Sequence, residues 1–206
     1  MPDTPATINF PAGSIAWNVI TGVSVTRASH VQDSDVEFPV VLSDGRVHDS
    51  GAHLPTTAAS DDLGIGVGTL GTGEFYLTTS DAKTTTVTQY ARYQVQVPYD
   101  YDAGETFQLI VNGGMNTTIS DGTATVDLEV YKSDLDGTVG SDLCATAAQS
   151  INSLTAADKT FTVNAASLNP GDLLDVRLTV AITDSATGTA VIGRVNSIRR
   201  VLDCRG

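Results

Sequence analysis

Residues 173–183 read Leu173-Leu174-Asp175-Val176-Arg177-Leu178-Thr179-Val180-Ala181-Ile182-Thr183 and follow the turn Leu168-Asn169-Pro170-Gly171-Asp172. Leu174, Val176, Leu178, Val180 and Ile182 fall at strict two-residue spacing, with mostly polar residues between them. That alternation after a Pro-Gly-Asp turn is the mark of a half-buried β-strand. The same grammar recurs upstream. Ala91, Tyr93, Val95 and Val97 alternate with Arg92, Gln94 and Gln96. Phe107, Leu109 and Val111 alternate next, and Val126, Leu128 and Val130 alternate against Asp127, Glu129 and Tyr131. Phe161 and Val163 face inward in a short strand over 159–163. In the last strand Val191, Gly193 and Val195 share a phase that Ile198 breaks, which predicts a bulge near Asn196-Ser197. Helix signal is thin: the Ala-rich stretch 144–154 carries no sustained 3.6-residue stripe. Roughly six to nine strands joined by turns specify an all-β sandwich of jelly-roll type.

Composition agrees. The chain has 206 residues, 19 glycines and only 17% charged residues, and threonine is abundant. β-Branched side chains suit a pleated surface, and Thr does so while staying polar. The formal net charge of −13 speaks against nucleic-acid binding, which rests on Lys and Arg displacing counterions. It speaks equally against adsorption to an anionic membrane. No run approaches the ~20 apolar residues of a membrane helix. The start, Met1-Pro2-Asp3-Thr4-Pro5, has no signal-peptide character, so the expected setting is a cytoplasm or a particle assembled in one. Two cysteines, Cys144 and Cys204, form no metal motif; a pair of unlinked buried thiols is the expected state, with one disulfide as the alternative.

Residues 1–60 differ from the remainder of the chain. Val36-Glu37-Phe38-Pro39-Val40 is apolar, but Pro39 confines it to an edge or an irregular strand. The expectation is an extended N-terminal arm or small β subdomain over 1–60 and a jelly-roll domain over 61–206.

The chemistry-bearing candidates read as structure. Gly64-Ile65-Gly66-Val67-Gly68 has glycine spacing that superficially suggests a dinucleotide loop, but a strand-like segment comes next where a helix is required. A flexible or bulged β segment is the better reading. Lys132-Ser133-Asp134-Leu135-Asp136-Gly137 fails as a calcium loop, because Lys132 and Leu143 occupy the ligand positions. A hairpin turn after Tyr131 is the better reading, and the alternative is a surface loop that uses Asp134, Asp136 and Asp142 as a weak cation site. His48, Asp49, Ser50 and His53 have neither a nucleophile elbow nor the spacing of a helical zinc pair. The expectations are no enzyme, no cofactor and no metal. The aromatic set Tyr90, Tyr93, Tyr99 and Tyr101 suggests a sugar-stacking platform, but Tyr93 shares a face with Val95 and Val97 and is expected in the core. Tyr99 and Tyr101, beyond Pro98 and beside Asp100 and Asp102, are expected at an exposed rim.

Phe161-Thr162-Val163, Leu168 to Leu178, Asp184 and Ile198-Arg199-Arg200-Val201-Leu202-Asp203 together resemble the end of jelly-roll proteins of tailed-phage virions. The chain is similar in particular to capsid-decorating, or cement, proteins with an N-terminal arm. The likeness spans about 74–203 and lies in turns and alternation. It implies a non-enzymatic protein on the capsid exterior, a homotrimer bound to the major capsid protein, assembled in the host cytoplasm. Phe10, Ile15, Trp17 and Phe38 are then the expected interface residues. The alternative is a tail-associated receptor- or carbohydrate-binding module using Tyr99 and Tyr101.

Overall fold

The computed structural model describes residues 34–133 and 137–204. Ten strands make two antiparallel sheets: β1 (Ser34–Val40), β2 (Gly64–Val67), β3 (Phe75–Thr78), β4 (Thr86–Gln96), β5 (Phe107–Met115), β6 (Thr123–Lys132), β7 (Gln149–Ser150), β8 (Ala157–Thr162), β9 (Leu173–Thr183) and β10 (Gly193–Cys204). The first sheet runs β2-β3-β10-β5-β8, with β1 also paired to β10, and the second runs β4-β9-β6-β7. The pairs β3·β10, β4·β9, β5·β8 and β6·β7 are nested one inside the next. The described chain is therefore one long hairpin, folded at the β6–β7 connection and rolled into two layers, which is the jelly-roll topology.

The alternation read from the sequence places the core. Leu174, Val176, Leu178, Val180 and Ile182 of β9 are all buried. They face Phe107, Leu109, Val111, Phe161, Ile198 and Leu202 of the first sheet. Each such side chain contributes roughly 1.5–3 kcal/mol by leaving water. The bulge expected near Asn196-Ser197 is present: the β10–β5 register shifts between Val195 and Ser197. It returns Ile198 to the core side.

The expected boundary at residue 60 does not hold for 34–60. β1 pairs along its length with β10, from Ser34↔Cys204 to Val40↔Ile198. Leu42 and Leu54 are buried in the common core. Val36, Phe38 and Val40 alternate toward that core and Pro39 away from it, so the edge strand that Pro39 predicted belongs to the sandwich itself. The arm expected over 1–33 lies outside the described residues.

The edges of the sheets are covered locally. Along the free side of β4, Arg46 and Arg92 exchange backbone bonds of 2.9 and 2.8 Å. Tyr90 N–H donates to Asp61 at 2.8 Å, and Leu63 N–H to Tyr90 at 2.9 Å. On β8, Ala145 N–H donates to Thr162 at 2.9 Å. Covered edges resist strand addition by other chains.

Candidate functional site, the outer face of the second sheet

The inward residues of β4, β9 and β6 fix what points outward. Strand register sets Tyr90, Thr179 and Asp127 in one row. Arg92, Arg177 and Glu129 make the next row, and Gln94, Asp175 and Tyr131 the third. Side chains on neighbouring strands lie about 5 Å apart and interact directly. Here they interlock. The Arg177 guanidinium lies 5.2 Å from the centre of the Tyr90 ring and is ion-paired with Glu129. Tyr131 Oη donates to Glu129 Oε1 at 3.2 Å. Arg92 forks onto Asp175, with Nε donating to Oδ1 at 2.6 Å and Nη2 donating to Oδ2. A guanidinium held by two parallel bonds is fixed in direction as well as in charge.

Two loops close the ends of the face. His48 rests against Tyr90 at 4.6 Å between centroids and 48° between planes. Its Nε2 is 3.7 Å from Asp61 and its Nδ1 3.9 Å from Asp62. At the other end the segment 137–139 rises beside β6, bridged through Ser133↔Val139. Between it and the Arg92–Asp175 pair is a recess of about 210 Å³, lined by Arg92, Gln94, Ser133, Thr138, Leu173 and Asp175 among others.

The electrostatics follow from crowding. Burial raises the Asp127 carboxyl above the usual range, the Leu128 N–H bond pulls it back, and Glu129 and Asp142 raise it further. Burial and then Glu129 raise the Tyr131 phenol. The Asp175 hydrogen bond raises Arg92. Burial, followed by Asp61 and Asp49, raises Asp62. Both arginines of the face are matched by carboxylates, so the surface offers directed polar groups rather than a free positive charge.

The residues singled out in the sequence are scattered relative to this face. Tyr101 is not at a rim: it is 0% exposed, and its hydroxyl donates to the Glu105 carbonyl at 2.6 Å. Pro98 starts a turn in which Tyr101 N–H donates to Pro98 O, and that turn swings Tyr99 out and Tyr101 in. Tyr99 is 81% exposed and lies over Gly171. Phe38 is half-buried against its own core, with the Arg200 guanidinium 4.9 Å above its ring, so it is covered within the chain rather than offered by an arm. Phe10, Ile15 and Trp17 lie outside the described residues. Of the His48 cluster, only His48 joins the face, as a packing partner of Tyr90. Asp142 is engaged in structure: its Oδ1 accepts from Val130 N–H at 2.8 Å and from Cys144 N–H at 2.9 Å. Asp134 and Asp136 lie outside the described residues. Cys144 and Cys204 are unlinked. Gly64–Val67 forms a strand, a β segment as expected, but it pairs with β3 in continuous register and contains no bulge.

Tyr90 was singled out from the sequence only as one of four tyrosines, and Arg92, Arg177 and Glu129 were not singled out at all. Each of these three appeared only as the polar half of an alternation. The available signal was that the outward rows of three separate strands all carry charge or an aromatic ring.

No family model matches the chain, and no curated protein does. Solved structures of low similarity are found. A xylan-binding domain from Paenibacillus barcinonensis is 12% identical with a TM-score of 0.38, covering 68% of this chain and 81% of that one. A cyclase from Fischerella sp. is 16% identical with a TM-score of 0.40, covering 84% and 90%. The structure of infectious bursal disease virus strain Gx is 14% identical with a TM-score of 0.31, covering 94% and 54%. The fold is an all-β sandwich. At this level of similarity neither binding nor catalysis is carried over.

Proposed function

We propose that the protein is a non-catalytic carbohydrate-binding module that takes a neutral glycan across the outer face of its second sheet. The observation that carries this is the interlocked row Tyr90–Arg177–Glu129, which ends in the recess beside Arg92–Asp175. Sugars present apolar ring faces and pairs of neighbouring hydroxyls. Tyr90 and Tyr131 supply aromatic surface. Arg92, Gln94, Asp175 and Glu129 supply planar groups that each engage two hydroxyls. The Arg92–Asp175 bonds and the bonds of Glu129 to Arg177 and Tyr131 hold those groups in place before binding, which lowers the ordering cost of association. A neutral ligand fits because both cations of the face are already paired and the chain carries −13 overall. The test is isothermal titration of the full chain against a panel of neutral β-linked oligosaccharides. Binding that falls at least about tenfold in Tyr90→Ala supports the reading. Absence of binding to the whole panel, or Tyr90→Ala binding as well as the parent, overturns it.

A second reading is a virion protein that decorates a capsid as a homotrimer against the major capsid protein. The observation in its favour is the β2–β3 hairpin. There Val67 (59% exposed), Phe75 (50%) and Leu70 (99%) continue the core stripe of Ile65 and Leu77 out into solvent. Exposed apolar surface of this kind suits protein contact. Co-sedimentation with assembled shells, compared between the parent and Leu70→Ser/Phe75→Ser, tests it. Equal binding by both proteins removes this support.

A further inference from the structure

The outer face of the first sheet holds a second polar recess, on the layer opposite the proposed glycan face. It measures about 140 Å³ and is lined by Gly114, Met115, Leu154, Ala156, Arg194 and Asn196. Arg194 is its only cationic group. Among the described residues every other arginine of an outer sheet face has a carboxylate: Arg92 has Asp175, Arg177 has Glu129, and Arg199 has Asp158 and Glu37. Arg194 has no such partner within ion-pair distance. It is held instead by Tyr76, whose ring centre is 5.0 Å from its guanidinium carbon.

Two glycines build this arrangement. The Tyr76 ring lies against Gly66 of β2, where a Cβ would come within 2.3 Å of it. Gly66 belongs to the glycine-rich segment that superficially suggested a nucleotide loop, and its role here is to seat Tyr76. Gly114, paired with Arg194 across β5 and β10, lets the segment 153–156 lie directly on the sheet; a Cβ there would meet Ala156 at 3.0 Å and the Ser153 carbonyl at 3.1 Å. That segment is pinned by Met115 N–H donating to Ser153 O at 2.8 Å and by Thr155 N–H donating to Ser153 Oγ at 3.1 Å. The Asn196 amide donates to Asn112 Oδ1 at 3.2 Å, which fixes its plane beside Arg194.

We propose that this recess binds the carboxylate of an acidic sugar residue. The planar guanidinium, uncommitted to any acid and oriented by stacking, presents paired donors that match a carboxylate. The Asn196 amide offers a further polar contact for a hydroxyl, and the exposed Leu154 offers apolar surface to a ring face. A single positive group in a strongly acidic protein suits a monoanion better than a dianion. Its attraction acts within about 8 Å before salt screens it. The choice of a sugar acid among carboxylates rests on the reading of the other face as glycan-binding, but the two sites share no residue.

The experiment is a titration of the full ¹⁵N-labelled chain with sodium glucuronate, glucose and sodium acetate, followed by amide shifts at 114, 154–156 and 194–196 and by the Arg194 Nε–H. Glucuronate is expected to move these signals, glucose to leave them unchanged, and acetate to bind at least about tenfold more weakly. Arg194→Gln should lose at least about tenfold in glucuronate affinity, Arg194→Lys should recover part of it, and raising salt to about 0.5 M should weaken binding. Arg194 is exposed, so both variants should keep the parent circular dichroism. Glucuronate binding unchanged in Arg194→Gln overturns the proposal, and so does acetate binding as tightly as glucuronate. Tyr90→Ala leaves this site intact, so a failed glycan face and a failed carboxylate site give separate signatures.

Discussion

Gln89 is the polar residue whose loss the structure prices most clearly. It lies in β4 with a fully buried side chain. Its Oε1 accepts from Ser80 N–H at 2.7 Å, and its Nε2 donates to the Ser60 carbonyl and to Ser80 Oγ, both at 2.9 Å. One amide thus ties β4 to the β3–β4 connection and to the loop that carries Asp61 and Asp62. In Gln89→Ala three bonds go, each worth about 1 kcal/mol net, and the Ser80 N–H and Ser60 carbonyl lose their partners in a part-buried setting. The expected loss is about 3–4 kcal/mol. For a domain of this size it lowers Tm by roughly 6–16 °C. Gln89→Leu refills the volume but not the bonds, and should lose nearly as much. Urea unfolding followed by far-UV circular dichroism measures the change as a shifted midpoint at constant slope. Gln96→Ala, on the solvent side of the same strand, should stay within about 0.5 kcal/mol. A loss below 1 kcal/mol in both Gln89 variants would falsify the claim that these side-chain bonds add to the backbone pairing that holds the loop.

Leu178→Ala, at the centre of β9 and fully buried, should cost about 3–5 kcal/mol through lost burial and a residual cavity, read by the same urea titration. Asp127→Asn should raise stability at neutral pH by up to about 1 kcal/mol, because the folded carboxyl is raised above its unfolded value and its ionised form therefore opposes folding. That gain should shrink as pH falls through the raised pKa, where the parent carboxyl protonates; a gain that grows on acidification contradicts the sign. Asp158 has the opposite behaviour: Arg199 and then Asn112 hold it below the carboxylate range. Its contribution is present above the unfolded value of 3.8 and disappears as pH drops through the lower folded value. Asp158→Asn should therefore flatten the parent's acid unfolding curve below about pH 4.

The body of the fold was readable because its information is local. β9 declares its inner face in eleven consecutive residues, and the out-of-step Ile198 gave away the bulge. Pro39 announced an edge strand correctly, while the boundary at 60 failed because 34–40 finds its partner in 198–204, far along the chain. Tyr99 is exposed as the rim reading required, but Tyr101 was misplaced by a single turn: the two were read together as one rim beyond Pro98, and the turn there sends Tyr99 out and Tyr101 into the core. The candidate face was hidden for a related reason. Tyr90, Arg177 and Glu129 come from strands separated by dozens of residues, and only the register of β4, β9 and β6 brings them into contact. A list of outward residues for each strand contains every member of the site and none of its geometry.

The nesting of the strand pairs also dictates an order of assembly. β6 and β7 meet across a short span of chain, whereas β10 comes after every other described strand and yet lies inside the first sheet, bonded to β1, β3 and β5. While the polypeptide is being synthesised, that sheet is missing its middle. Its flanking strands wait with open hydrogen-bonding edges until residues 193–204 have left the ribosome. The long sequence separations make this step slow, and the waiting edges are where misassembly would begin. A stop codon that removed only β10 would take away a small fraction of the mass and the axis on which half of the structure closes.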